Sequence, residues 1–155
     1  MSTTHNGEEL WHMIRSKIQH EESWIQFRVS WHLATNAFLF SAYAILAVSV
    51  SSKDGKLSPS TSVLLLLIPI VGTLFSTLVY LGVIAANREI GNALAEWDSL
   101  GPQPKARTKL PAIHLGPSSH KLARLATTGI SLTAIAMWFV LLAVSVALVF
   151  GNGSR

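Results

Sequence analysis

The chain contains no cysteine and carries little charge. The absence of cysteine excludes disulfides, thiolate metal sites and cysteine nucleophiles. Only 13% of its residues are Asp, Glu, Lys or Arg, whereas 50% are hydrophobic. Soluble domains carry about 25% charged residues. The composition of these 155 residues therefore indicates a single membrane domain over residues 1–155.

Charge is wholly absent from three apolar runs, at residues 31–50, 63–86 and 125–150. Because a helix rises 1.5 Å per residue, about 20 residues span the ~30 Å hydrocarbon core of a bilayer. The sequence predicts an all-α integral membrane fold with three transmembrane helices. The second helix is expected to continue as a cytoplasmic helix to residue 99, because Gly101 and Pro102 follow and end it.

The first thirty residues contain four glutamates and no uninterrupted apolar core, so they do not form a cleaved signal peptide. Apolar residues recur there at intervals of four or seven, which predicts an amphipathic cytoplasmic helix over residues 8–30. This helix is expected either to lie among the lipid headgroups or to pack on the cytoplasmic end of the second helix. The residues of the stripe are Leu10, Ile14, Ile18, Ile25 and Val29.

Nine of the twelve Lys and Arg residues lie in the N-terminal segment or around the second loop. The positive-inside rule then places the N-terminus and the second loop in the cytoplasm and the C-terminus outside. The loop over residues 100–124 is rich in proline, carries five basic residues and has no acid. It is expected to attract anionic lipids. Without interleaved aromatic residues or a phosphate-binding glycine motif, nucleic acid is not an expected partner.

Polar residues within the spans have two interpretations, as helix contacts or as the lining of a pore. Unsatisfied polar groups are costly in hydrocarbon, so Asn36 needs a hydrogen-bonding partner. In the second span, Gly72 and Ser76 form a small-xxx-small pair. Arg28, Trp31 and His32 are predicted to anchor the first span at the membrane surface. The candidates for helix contacts or pore lining are Asn36, Tyr43, Gly72, Thr73, Ser76 and Tyr80.

No catalytic, cofactor-binding or metal-binding residue is predicted. The six histidines lack zinc-site spacing. Ion pumps usually require a carboxylate within a span, but every Asp and Glu of this chain lies outside the spans. An enzyme is therefore not expected.

The stretch from Glu22 to Leu46 contains Glu22, Arg28, Trp31 and Asn36 followed by Phe38-Leu39-Phe40, and it resembles small bacterial inner-membrane proteins. The chain is more loosely similar to RipA-type octameric membrane proteins and to SLATT membrane effectors. The resemblance implies a bacterial inner-membrane setting and a homo-oligomer. We expect either a structural or simple pore-forming oligomer, or an accessory or regulatory subunit that recruits a cytoplasmic partner, including a defence-type effector.

Overall fold

A computed structural model describes residues 3–51, 58–99 and 117–151, and all of them except Ser58 are helical. Helix α1 spans Thr3–Ser51, α2 spans Pro59–Ser99 and α3 spans Pro117–Gly151. Both α2 and α3 begin with proline, whose missing N–H is no loss at the first helical position. Ser58 caps α2, because its hydroxyl oxygen accepts a hydrogen bond from the Thr61 N–H at 3.2 Å.

All three helices are long and apolar enough to cross a membrane, within Glu9–Ser49, Pro59–Ser99 and Arg124–Gly151. The predicted all-helical class with three apolar helices is confirmed. Helix α1 runs without a break through residues 8–30 and 31–50, so the backbone does not separate an N-terminal helix from the first span. Helix α3 already includes residues 117–124 of the predicted loop. The rest of that loop, residues 100–116, lies outside the described residues.

The chain divides into two compact units. The first unit comprises Met1–Arg28 and Gly82–Thr128, and the second comprises Val29–Leu81 and Gly129–Arg155. In the first unit, buried apolar residues recur at helical spacing on α1 and on α2, which gives each helix one inward face. They are Ile14, Ile18 and Ile25 on α1, and Val83, Ala86, Ile90 and Ala93 on α2.

Lys17 and Arg28 of α1 make polar contacts with α2 in the first unit. The Lys17 ammonium lies 3.7 Å from the Glu89 carboxylate, and both side chains are about half exposed. Such an exposed pair contributes under about 1 kcal/mol. Arg28 donates from Nη1 to the carbonyl oxygen of Gly82 at 2.8 Å, and its guanidinium carbon lies 5.9 Å from the centre of the Trp24 ring.

The second unit buries polar side chains and exposes apolar ones. Its buried positions include His32, Asn36, Ser76 and Ser145, while Phe38 is 73% exposed. Water-soluble domains show the reverse arrangement, but in hydrocarbon the polar groups must find partners inside the protein. The second unit therefore has the polarity of a segment surrounded by lipid.

Candidate functional site

The second unit contains a buried polar cluster centred on Asn36, which is 5% exposed. The Trp138 indole donates from Nε1 to Asn36 Oδ1 at 2.6 Å, and the Ser76 hydroxyl donates to the same oxygen at 3.5 Å. Asn36 Nδ2 donates to the carbonyl oxygen of His32, one turn earlier, at 2.7 Å. One amide thus connects α1 with both α2 and α3.

Trp138 determines which way the Asn36 amide faces. An indole N–H only donates, so the amide oxygen must be the atom that faces it. The amide nitrogen then faces His32, with one hydrogen on the carbonyl oxygen of that residue. The imidazole Nδ1 and Nε2 lie 3.0 Å and 3.4 Å from the same nitrogen, and the tautomer of the ring sets which of them accepts its second hydrogen.

Aromatic rings surround the cluster. Phe40 stacks on Trp138 with 4.2 Å between centroids and 9° between planes, and His32 stacks on Phe75 at 6.0 Å and 27°. A Cβ atom added to Gly72 would overlap the Trp138 indole. Glycine is therefore required at position 72 because the indole occupies the space of a side chain.

A second polar contact connects α1 with α3. The Tyr43 hydroxyl lies 2.9 Å from Ser145 Oγ, which in turn donates to the carbonyl oxygen of Leu141 at 2.8 Å. The Tyr43 hydroxyl also lies 3.3 Å from the Leu141 carbonyl oxygen, so either hydroxyl can be the donor between the two side chains. Both side chains are buried, so this chain of bonds also satisfies polar groups away from water.

The remaining predicted span residues lie outside these contacts. The Thr73 hydroxyl donates to the carbonyl of Pro69 in its own helix at 2.8 Å, so it needs no partner from another helix. Tyr80 is half-buried. The structure thus brings Asn36, Gly72 and Ser76 together, places Tyr43 with Ser145, and leaves Thr73 bonded to α2 itself.

The three predicted anchor residues do not share one environment. Arg28 belongs to the first unit and binds the Gly82 carbonyl. Trp31 is 58% exposed, whereas His32 is 1% exposed and lies inside the polar cluster. An exposed tryptophan and a partly buried arginine suit the edge of a membrane, but His32 contributes to internal packing.

Trp138 and Ser145 are not among the residues predicted from the sequence. A signal for Trp138 exists, because it stands in the middle of the 125–150 run, whereas tryptophan usually lies at the ends of a span. A buried indole N–H needs an acceptor, and Asn36 offers one. Ser145 carries no comparable signal, since serine can bond back to its own helix.

An apolar groove of about 380 Å³ lies beside the polar cluster, between α1 and α3 of the second unit, and is open on one side. Within the described residues, no group of three or more His, Asp or Glu side chains is arranged to hold a metal ion. The groove is lined by His32, Asn36 and Phe40 of α1 and by Thr133, Ala134 and Met137 of α3.

Comparison of the chain with known proteins gives no match. No protein-family model fits the sequence, and neither the curated proteins nor the solved structures give a match.

Proposed function

We propose that the protein is a structural component of the bacterial inner membrane that acts as a homo-oligomer. The observation that carries this proposal is the Asn36 cluster, in which the polar groups of three apolar helices are used on one another. Such hydrogen bonds hold transmembrane helices in a fixed arrangement. The homo-oligomer and the bacterial setting follow from the resemblance to small bacterial inner-membrane proteins.

The contacts of Asn36 favour a structural role over a pore. A pore-lining amide presents its donors and acceptor to water, but both Nδ2 hydrogens and Oδ1 of Asn36 are used within the protein. The Thr73 and Thr77 hydroxyls likewise bond carbonyls of α2. These hydroxyls are used within α2 and the amide of Asn36 is used within the polar cluster, which supports a structural role.

Reconstitution separates the two roles. Wild-type protein in liposomes is expected to conduct no ions, and native mass spectrometry from nanodiscs is expected to show several copies per particle. Ion flux that wild type supports and Asn36→Leu abolishes would establish a pore. A single copy per nanodisc would contradict the homo-oligomer. Asn92→Leu, at an exposed position of α2, is the matched control for the substitution.

The proposed orientation places the end of α2 in the cytoplasm and its start outside. The natural chain has no cysteine, so single cysteines report the topology without background. Ser99→Cys is expected to react with a membrane-impermeant maleimide only from the cytoplasmic side, and Ser60→Cys only from the outer side. Both positions are exposed. The opposite labelling pattern would contradict the orientation.

One observation favours the second candidate function, an accessory subunit that recruits a cytoplasmic protein. In the first unit Trp24 and Phe27 are 44% and 55% exposed, and exposed aromatic residues are common at protein interfaces. The accessory role predicts a stoichiometric cytoplasmic partner that is lost with Phe27→Ser and retained with Gln26→Ser, an exposed neighbour. Equal recovery with both variants would contradict it.

A further inference from the structure

Arg28 carries a positive charge that no carboxylate of the described residues neutralises. Its side chain contacts the Gly82 carbonyl oxygen, 2.8 Å from Nη1, and the Trp24 ring, whose centre lies 5.9 Å from the guanidinium carbon. Glu89 of α2 instead lies 3.7 Å from the Lys17 ammonium. A guanidinium has five N–H donors, so Arg28 has donors left for another acceptor. Because the side chain is partly buried, an unpaired charge is costly there, and an anion would satisfy it.

The position of Arg28 along the helices indicates which anion can reach it. No charged residue follows it in α1 up to Ser51, where the helix ends. On α2, Gly82 lies within the charge-free run 63–86, six residues or about 9 Å along the axis before Arg88. The guanidinium therefore lies where the apolar runs end, next to the level of the lipid headgroups. Phospholipid phosphates are concentrated there, whereas free phosphate must leave bulk water to reach it.

We propose that Arg28 binds the phosphate of an anionic phospholipid at this edge of the membrane. Guanidinium groups bind phosphate through two parallel hydrogen bonds, which Nε and Nη2 can donate while Nη1 keeps the Gly82 carbonyl. The Trp24 ring, 44% exposed, gives the site an aromatic side of the kind found among headgroups. A lipid with net negative charge binds better than a zwitterionic one, whose own ammonium group competes for its phosphate. The bound lipid thus contacts the side chain that joins α1 to α2.

Native mass spectrometry of bound lipids tests this site. From nanodiscs with equal parts of phosphatidylcholine and phosphatidylglycerol, wild-type protein is expected to retain phosphatidylglycerol in excess. Arg28→Met is expected to reduce this enrichment about tenfold, because it removes charge-assisted hydrogen bonds. Arg88→Met removes the same charge at an exposed position of α2 and is expected to have a much smaller effect, since exposed charges are screened. Equal retention of both lipids by wild type, or equal losses with the two variants, would overturn the proposal.

Inorganic phosphate distinguishes a lipid from a free anion as the ligand. Sodium phosphate and sodium chloride, added to the nanodiscs at equal ionic strength, are expected to leave the same phosphatidylglycerol enrichment. An enrichment that is lost with phosphate and kept with chloride would show that the site takes free phosphate, and would overturn the assignment to a lipid.

A second measurement keeps the test decisive if Arg28→Met does not fold. Arg28→Lys retains a cation and a donor for the Gly82 carbonyl but has no guanidinium. Solid-state NMR of wild-type protein with isotope-labelled arginine is expected to show a guanidinium nitrogen in contact with lipid phosphorus. That signal should disappear with Arg28→Lys and remain with Arg88→Lys. No such contact in wild type, or an unchanged one in Arg28→Lys, would overturn the proposal.

The lipid site rests on the membrane location in the proposed function but not on the oligomer. The same mass spectra count the copies of the chain, so the two proposals can fail separately. A homo-oligomer without phosphatidylglycerol enrichment contradicts the site alone, whereas a single copy that retains the enrichment supports the site and contradicts the oligomer.

Discussion

Replacing Asn36 with leucine removes the amide that joins the three helices while keeping a side chain of similar size. The Trp138 Nε1–H, which is completely buried, loses an acceptor 2.6 Å away, and the His32 ring loses the amide nitrogen 3.0 Å from its Nδ1. Hydrogen bonds between transmembrane helices average about 0.6 kcal/mol and reach about 1.7 kcal/mol. The Trp138 bond is short and buried, so we expect Asn36→Leu to lower the free energy of unfolding by about 2 kcal/mol, the two losses together.

A double-mutant cycle with Trp138→Phe isolates the bond between the amide and the indole. Phenylalanine keeps a ring against Phe40 but has no N–H to donate. We expect the double variant to be about 1 kcal/mol more stable than the sum of the single losses predicts, because both substitutions remove the same interaction. Unfolding in mixed micelles with increasing dodecyl sulfate, followed by far-ultraviolet circular dichroism, measures each free energy.

Asn92→Leu provides the control, since Asn92 is exposed and surface substitutions usually change stability by less than about 0.5 kcal/mol. Strict additivity of Asn36→Leu and Trp138→Phe would refute the reasoning, because it would mean that the two side chains do not depend on each other.

Three further contacts, those of Gly72, Tyr43 and Arg28, give expectations in the same unfolding assay. Gly72→Ala is expected to lower the free energy of unfolding by about 1–3 kcal/mol, because the added carbon overpacks against the Trp138 indole. Gly91→Ala has open space around the added carbon and is expected to stabilise α2 by up to about 1 kcal/mol. Equal effects of the two substitutions would contradict this expectation. Tyr43→Phe should lower the free energy of unfolding by about 1 kcal/mol, and should have no effect once Ser145 is replaced by alanine. The same loss in both backgrounds would show that the hydrogen bond between Tyr43 and Ser145 does not contribute to stability. Arg28→Met should cost about 1 kcal/mol through loss of the bond to the Gly82 carbonyl, and Arg28→Lys should recover part of it; full stability of Arg28→Met would contradict the contact.

The fold class could be predicted because the bilayer leaves few alternatives. Three charge-free runs of sufficient length must satisfy their backbone groups internally, and helices do so. The division between residues 8–30 and 31–50 could not be located on the backbone. No Gly or Pro occurs between residues 8 and 51, so nothing in the chain ends the helix where its surroundings change.

The polar cluster could be predicted only in part. The position of Asn36 in an apolar run shows that it needs a partner, but periodicity within one helix does not identify the residue that faces it on another. Its partner Trp138 lies 102 residues later in the chain. Gly72 forms a small-xxx-small pair with Ser76 in the sequence, and in the structure the Trp138 indole occupies the space beside this glycine. The sequence alone does not show which side chain of another helix lies against Gly72.

The separation between Asn36 and Trp138 also has a consequence for biosynthesis. At about 5–20 residues per second, the ribosome needs roughly 5–20 s to make the 102 residues between them. Helix α1 therefore exists before the donor that satisfies its amide oxygen. During that interval Ser76 of α2 is the earlier partner from another helix. A nascent chain that stops before α3 leaves the amide oxygen of Asn36 without its Trp138 donor.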